Sequence, residues 1–137
     1  MKIVILFLFS AISISASATS SLEIGQSYNG DLRILVTEES GEIVTDEMVI
    51  DINLDGQKEI ALGVTCGNAG CIYHIFKNEK KDVYKYLGHL FFHSKAIEIN
   101  LDTKVIKTYV RSNAEKGCDY TYQNTKLGFI QMGKACK

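Results

Sequence analysis

Beyond its first twenty residues the chain alternates apolar and polar side chains with a period of two, and the 3.6-residue period of an amphipathic helix is scarce. "LEIGQSY" and "DLRILVT" flank Asn29-Gly30, a dipeptide suited to the positive φ angles of a two-residue hairpin turn. "ESGE" marks the next turn. "EMVIDI" and "KEIALGVT" are runs of branched apolar residues on either side of an acidic stretch, and "CIYHIF" follows. The charged turn "KNEKKD" separates it from "VYKYLGHLFF". "KAIEINL" and "KVIKTYVR" surround a tight connection at Leu101-Asp102-Thr103, and "DYTYQ" and "KLGFIQM" surround Asn124-Thr125. Short helical turns are expected only in "SNAEKG" and within residues 38–48.

Turn signals recurring at about eight to twelve residues predict an all-β chain, a single antiparallel sheet domain in the form of a meander, a sandwich or an open barrel. Proline is absent, so protection of strand edges falls to charge, and the lysines between residues 77 and 85 and between 104 and 107 are candidates. Tyr84 and Tyr86, like Tyr120 and Tyr122, share a strand face. They are read as cover for a half-buried sheet.

The N-terminus departs from this pattern. "MKIVILFLFSAISISASATS" runs from one lysine through an apolar block to small residues, the order of a secretory signal peptide over residues 1–18. The apolar block is shorter than the ~20 residues a membrane span needs. Residues 19–137 are then one domain of roughly 120 residues, enough for one core. A periplasmic or secreted location without a membrane anchor is expected. Formal net charge is -1, one unit more negative without Lys2, and no basic block marks a nucleic-acid partner.

Export changes the reading of the four cysteines, Cys66, Cys71, Cys118 and Cys136. An even number in an exported domain reads as disulfides, with three possible connectivities. Cys66–Cys71 is favoured, because Gly67 and Gly70 let a short loop close, together with Cys118–Cys136 across a hairpin. Zinc usually takes cysteines in closely spaced pairs, and only one pair here is close.

Candidate chemistry concentrates in "DINLDGQKEIALGVTCGNAGC", residues 51–71. Oxygen-bearing side chains two apart in a curled loop converge on one point, and calcium takes six to eight oxygens in irregular geometry. Asp51, Asn53 and Asp55 are so spaced, Gly56 permits the bend, the Gln57 carbonyl is placed to face inward, and Glu59 closes the set. Three carboxylates drawn together without a cation would repel one another. An EF-hand is excluded, since its twelfth position falls on Leu62 and strands flank the loop.

The spacing Asp-x-Asn-x-Asp-Gly-x-x-Glu, followed by "IALGVT" and "IYHIF", resembles the calcium-loop hairpin of FG-GAP and VCBS-type repeats over residues 48–76. The resemblance implies a structural calcium ion held by the side chains of Asp51, Asn53, Asp55 and Glu59 and the carbonyl of Gln57. Those repeats usually carry aspartate where Glu59 stands, and they come in tandem, whereas this chain has one. It is more similar to small single-module envelope proteins that share the loop.

His89 and His93 stand four apart with His74 elsewhere, but no third ligand accompanies them, and chance accounts for the spacing. No nucleophile elbow, metalloprotease helix or phosphate-cradling loop is present, so catalysis has no sequence support. The expectation is a non-catalytic exported binding module with a calcium loop. The rival is a periplasmic inhibitor or immunity protein that blocks an envelope enzyme, with "CGNAGC" as its rigid inserting loop. Either role implies another envelope protein as partner.

Overall fold

A computed structural model describes residues 22–93 and 95–137; the expected signal peptide, residues 1–18, lies outside them. In chain order the described elements are β1 (Ser27–Asn29), α1 (Leu32–Ser40), β2 (Asp46–Ile50), β3 (Glu59–Gly67), β4 (Gly70–Lys80), β5 (Val83–Phe92), β6 (Ile97–Asn100), β7 (Val105–Arg111), β8 (Gly117–Asn124) and β9 (Phe129–Cys136). They form two antiparallel sheets, ordered β1-β5-β4-β3-β2 and β6-β7-β8-β9. Apart from β1, which returns beside β5, each sheet is a meander of hairpins. The chain is all-β and stapled by disulfides, as expected.

Two apolar clusters explain the burial patterns. The larger gathers Ala61, Tyr73, Ile75, Leu90 and Phe92 from the first sheet with Ile106, Tyr122 and Phe129 from the second. The smaller lies on the other face of the first sheet, where Leu32 and Val36 of α1 meet Val44, Leu62, Val64, Phe76 and Tyr86. Strand β3 is therefore covered on both sides, which is why "IALGV" reads as a continuous apolar run. Strand β7 has one covered face, and its buried and exposed residues alternate from Val105 to Arg111.

The helix corrects one expectation. "DLRILVT" is not the second arm of an Asn29-Gly30 hairpin: β1 pairs with β5, and Leu32–Ser40 is helical. Capping decides the matter. The Asp31 carboxylate accepts the N–H groups of Arg33 and Ile34, and Gly41 ends the helix in the left-handed region at φ 73°. Leu32 and Val36, four apart, then bury one face. Helix occupies only the first residues of the 38–48 segment, and residues 112–115 of "SNAEKG" form bends.

Both favoured disulfides are present, Cys66–Cys71 and Cys118–Cys136. The first closes the β3–β4 hairpin, where Gly67 pairs with Gly70. The second joins directly opposed residues of β8 and β9. Two disulfides point to an oxidising, exported compartment. Among the described residues no helix is long and apolar enough to cross a membrane. Lysines do not guard the edges as expected, because Lys77 on β4 and Lys107 on β7 lie on interior strands, and Lys85 lies on β5 between β4 and the three-residue β1.

Candidate metal centre

The acidic loop is the β2–β3 connection. Ile50 and Glu59 are direct cross-strand partners, so the segment between them leaves and returns at one point of the sheet. Ile52 is fully buried in the larger core and anchors the loop. Leu54 and Gly56, at φ 55° and 87°, turn the chain back through the left-handed region. The acidic side chains bond the loop's own backbone, as aspartate and asparagine do in tight turns. Asp51 Oδ1 accepts Asp55 N–H at 3.1 Å and its Oδ2 accepts Gly56 N–H at 2.9 Å. Asp55 Oδ1 accepts Gln57 N–H at 2.9 Å.

Glu59 is the unusual member. It is fully buried, its Oε2 accepts Ile52 N–H at 2.9 Å, and its Oε1 has no hydrogen-bond partner. A buried acceptor left unbonded costs about 1–3 kcal/mol, more for a charged group. One oxygen each from Asp51, Asp55 and Glu59 lies within 4.8 Å of the others. Burial pushes the Glu59 carboxyl above its ordinary range; the Ile52 N–H and, more weakly, the Asn53 N–H oppose this, and the charges of Asp55 and Asp51 add to it. Asp55 moves the other way, held down first by its bond to Lys77 and then by the Gln57 N–H. Lys77 Nζ sits 2.5 Å from Asp55 Oδ2.

Of the residues expected to coordinate, the three carboxylates converge. Asn53 lies beside them, bonded to Asp55 at both ends of its amide, with Oδ1 accepting Asp55 N–H and Nδ2 donating to Asp55 Oδ2, both at 3.2 Å. Gln57 meets the cluster through its backbone N–H. A buried carboxylate oxygen beside two more carboxylates could hold a metal ion, and the arrangement does not specify which. Lys77, expected only to guard a strand edge, belongs to this site instead. It stands 22 residues from Asp55, and only the sheet register brings them together.

No family model matches the chain, and no curated protein or solved structure is significantly similar to it. The likeness to FG-GAP and VCBS-type loops therefore rests on residues 48–76 alone.

The histidines group differently from their spacing. His74 and His89 are cross-strand partners with ring centroids 5.9 Å apart. His93 lies past the end of β5 and accepts Lys95 N–H at 3.2 Å. His74 Nδ1 is 2.9 Å from the Tyr86 hydroxyl, and burial, then the charge of His89, lower its pKa from 6.5 to about 4, against an upward pull from Glu42. In the neutral ring Nδ1 accepts from that hydroxyl in one tautomer and donates to it in the other. Since the unfolded chain binds the proton more readily, stability is full above about pH 6.5 and declines as pH falls toward 4, by an amount on the order of 3 kcal/mol. Urea midpoints of the parent and His74→Gln across that range measure the effect. Equal slopes would place the acid sensitivity elsewhere.

Proposed function

We propose that this protein is an exported, non-catalytic β-rich binding module whose 51–59 loop holds a structural calcium ion. The observation that carries the reading is the Oε1 atom of Glu59, fully buried and unbonded beside the oxygens of Asp51 and Asp55. A divalent cation supplies the partner that this oxygen lacks and cancels the repulsion among three carboxylates. Asn53 and the Gln57 carbonyl supply further oxygens, as the loop resemblance implies. Opposite pKa shifts in neighbouring carboxyls are also the pattern of an acid–base pair. Glu59 has no exposed surface to offer a substrate, and that favours the metal. The disulfide at the far end of β3 and the ion at its start would brace the strand at both ends.

Periplasmic or secreted location fits both the disulfides and the expected signal peptide. Calcium is plentiful outside the cell, so affinities of about 10⁻⁴ to 10⁻³ M suffice for such a staple. The inhibitor reading has one feature in its favour: the β3–β4 hairpin ends in an exposed tip at Gly67-Asn68, closed by Cys66–Cys71.

Thermal unfolding of the oxidised protein, with calcium and then with chelator, tests the reading. Stabilisation of about 2.7 kcal/mol is expected at a hundredfold excess over the dissociation constant, and Asp51→Asn should abolish most of it. A parent that unfolds identically in calcium and chelator would remove the metal from the proposal.

A further inference from the structure

Four lysines from four separate elements line one open recess of about 390 Å³ beside the acidic loop: Lys77 on β4, Lys85 on β5, Lys104 at the β6–β7 turn and Lys126 at the β8–β9 turn. Asn53 and Asp55 form its acidic-loop wall. The fold thus brings four cationic residues to the lining of one recess. Lys77 and Lys85 are direct cross-strand partners, an arrangement of like charges that weakens a sheet.

The two turns are held in place by hydrogen bonds. Lys104, at φ 58°, has its carbonyl bonded by Asn124 N–H at 2.8 Å and by Gln123 Nε2 at 3.3 Å. Beside Lys126, the Thr125 hydroxyl donates to the Gly128 carbonyl at 2.7 Å and accepts Gly128 N–H at 3.2 Å. Among the described residues the ion pairs are Lys77–Asp55 and Arg33–Glu47. Among the described residues Lys85, Lys104 and Lys126 therefore line the recess without an ion-pair partner, and Asp55, the carboxylate in its wall, is paired with Lys77. They do not serve a sheet edge either: Lys104 and Lys126 lie in turns, and Lys85 lies between β4 and β1.

A small, compact dianion complements this arrangement. Lysine binds phosphate as a point charge, and the recess falls in the range of small-ligand clefts, about 300–1,000 Å³. Asp55 links the recess to the metal centre. Its Oδ2 holds the Lys77 ammonium, and it is one of the three carboxylates that converge. A divalent cation there competes for Asp55, frees a fourth ammonium and removes a negative charge from the wall. We propose that the recess binds a phosphate monoester, and binds it more tightly when calcium takes Asp55 from Lys77. This rests on the calcium reading above, and linkage requires the phosphate to tighten calcium in return.

The oxidised protein, titrated with glycerol phosphate at physiological salt in calcium and in chelator, tests the proposal. Backbone amide NMR shifts report occupancy. Calcium-induced thermal stabilisation is measured first, without phosphate, so failure of the calcium reading is seen on its own; a parent without that response loses the coupling to calcium too. Saturable binding in calcium is expected, at least about fivefold weaker in chelator. Lys104→Gln with Lys126→Gln should weaken it about tenfold or more, by the loss of two charge-assisted contacts, and leave calcium stabilisation intact. Lys77→Gln should keep the calcium response but bind phosphate in calcium only as well as the parent does in chelator.

A calcium-stabilised parent that shows no saturable binding, equal binding in chelator, or unchanged binding in the double variant would overturn the proposal. Mixed phosphatidylcholine–phosphatidic acid vesicles then identify the source. Calcium-dependent co-sedimentation through the same lysines assigns a lipid headgroup, and glycerol phosphate binding without co-sedimentation assigns a soluble ligand.

Discussion

Glu59→Gln is expected to be more stable than the parent in chelator and less stable in calcium. In chelator the parent carries a buried carboxylate with one oxygen unbonded and two carboxylates nearby. The amide keeps an oxygen for Ile52 N–H, removes the charge, and brings an NH₂ that can donate to Asp51 or Asp55. Relief of one unsatisfied buried acceptor is worth about 1–2 kcal/mol. In saturating calcium the parent gains about 2.7 kcal/mol at a hundredfold excess, and the variant, short of a charged ligand, gains little. The order of stability should therefore invert between the two buffers.

The pH dependence in chelator carries the same signature. Burial raises the Glu59 pKa in the folded protein, so its neutral form contributes stability that is full below the ordinary carboxyl pKa. That stability is lost as pH rises through the raised value. Glu59→Gln lacks this decline. Urea midpoints in both buffers, measured above and below that range, check both statements. A variant less stable than the parent in chelator and in calcium alike would make Glu59 an ordinary structural carboxylate and leave the loop without its principal argument for a metal.

How much of this was legible in the sequence depended on how local each cause was. Strands from β2 to β8 were readable because at least one face is buried or half-buried, and burial imprints alternation on β7 and continuity on β3. The disulfides were readable because Cys66 and Cys71 enclose two glycines, while Cys118 and Cys136 bracket a hairpin. Helix α1 was misread for an equally local reason. Its first turn carries Leu32, Ile34 and Leu35, which suit a strand as well as a helix, and Asn29-Gly30 imitates a hairpin turn. Asp31 and Gly41, at cap spacing, were the signal that outweighed it. Convergence of Asp51, Asp55 and Glu59 follows from spacing. Burial of Glu59 does not, because it depends on pairing with Ile50 and on the packing of Ile52 into the larger core. The lysine recess was invisible for the same reason: its members come from two sheets and span residues 77 to 126.

Gly70→Ala is expected to cost about 3 kcal/mol through strain and overpacking, while Gly67→Ala, three residues away in the same disulfide loop, should stay within about 0.5 kcal/mol of the parent. As letters in "CGNAGC" the two glycines are interchangeable. Gly70 has φ +124°, and a Cβ there would lie 2.4 Å from the carbonyl oxygen of Phe92 and 2.7 Å from the nitrogen of His93. Both are backbone atoms, so no side-chain rotation relieves the contact. The end of β5 would have to retreat, drawing with it Phe92, which is fully buried and stacked on Tyr73 at 4.5 Å. Gly67 has nothing within 4 Å of such a Cβ, and alanine there even reduces the entropy of the unfolded chain. Urea unfolding of the two oxidised variants measures the contrast. Equal midpoints would mean that β4 and the Phe92–His93 backbone are not in close approach, and that the rigidity of the hairpin tip comes from the disulfide alone. A large loss confined to Gly70→Ala would make the tip an extension of the core, anchored by backbone contact as well as by the Cys66–Cys71 bond, as a loop that inserts into a partner needs to be.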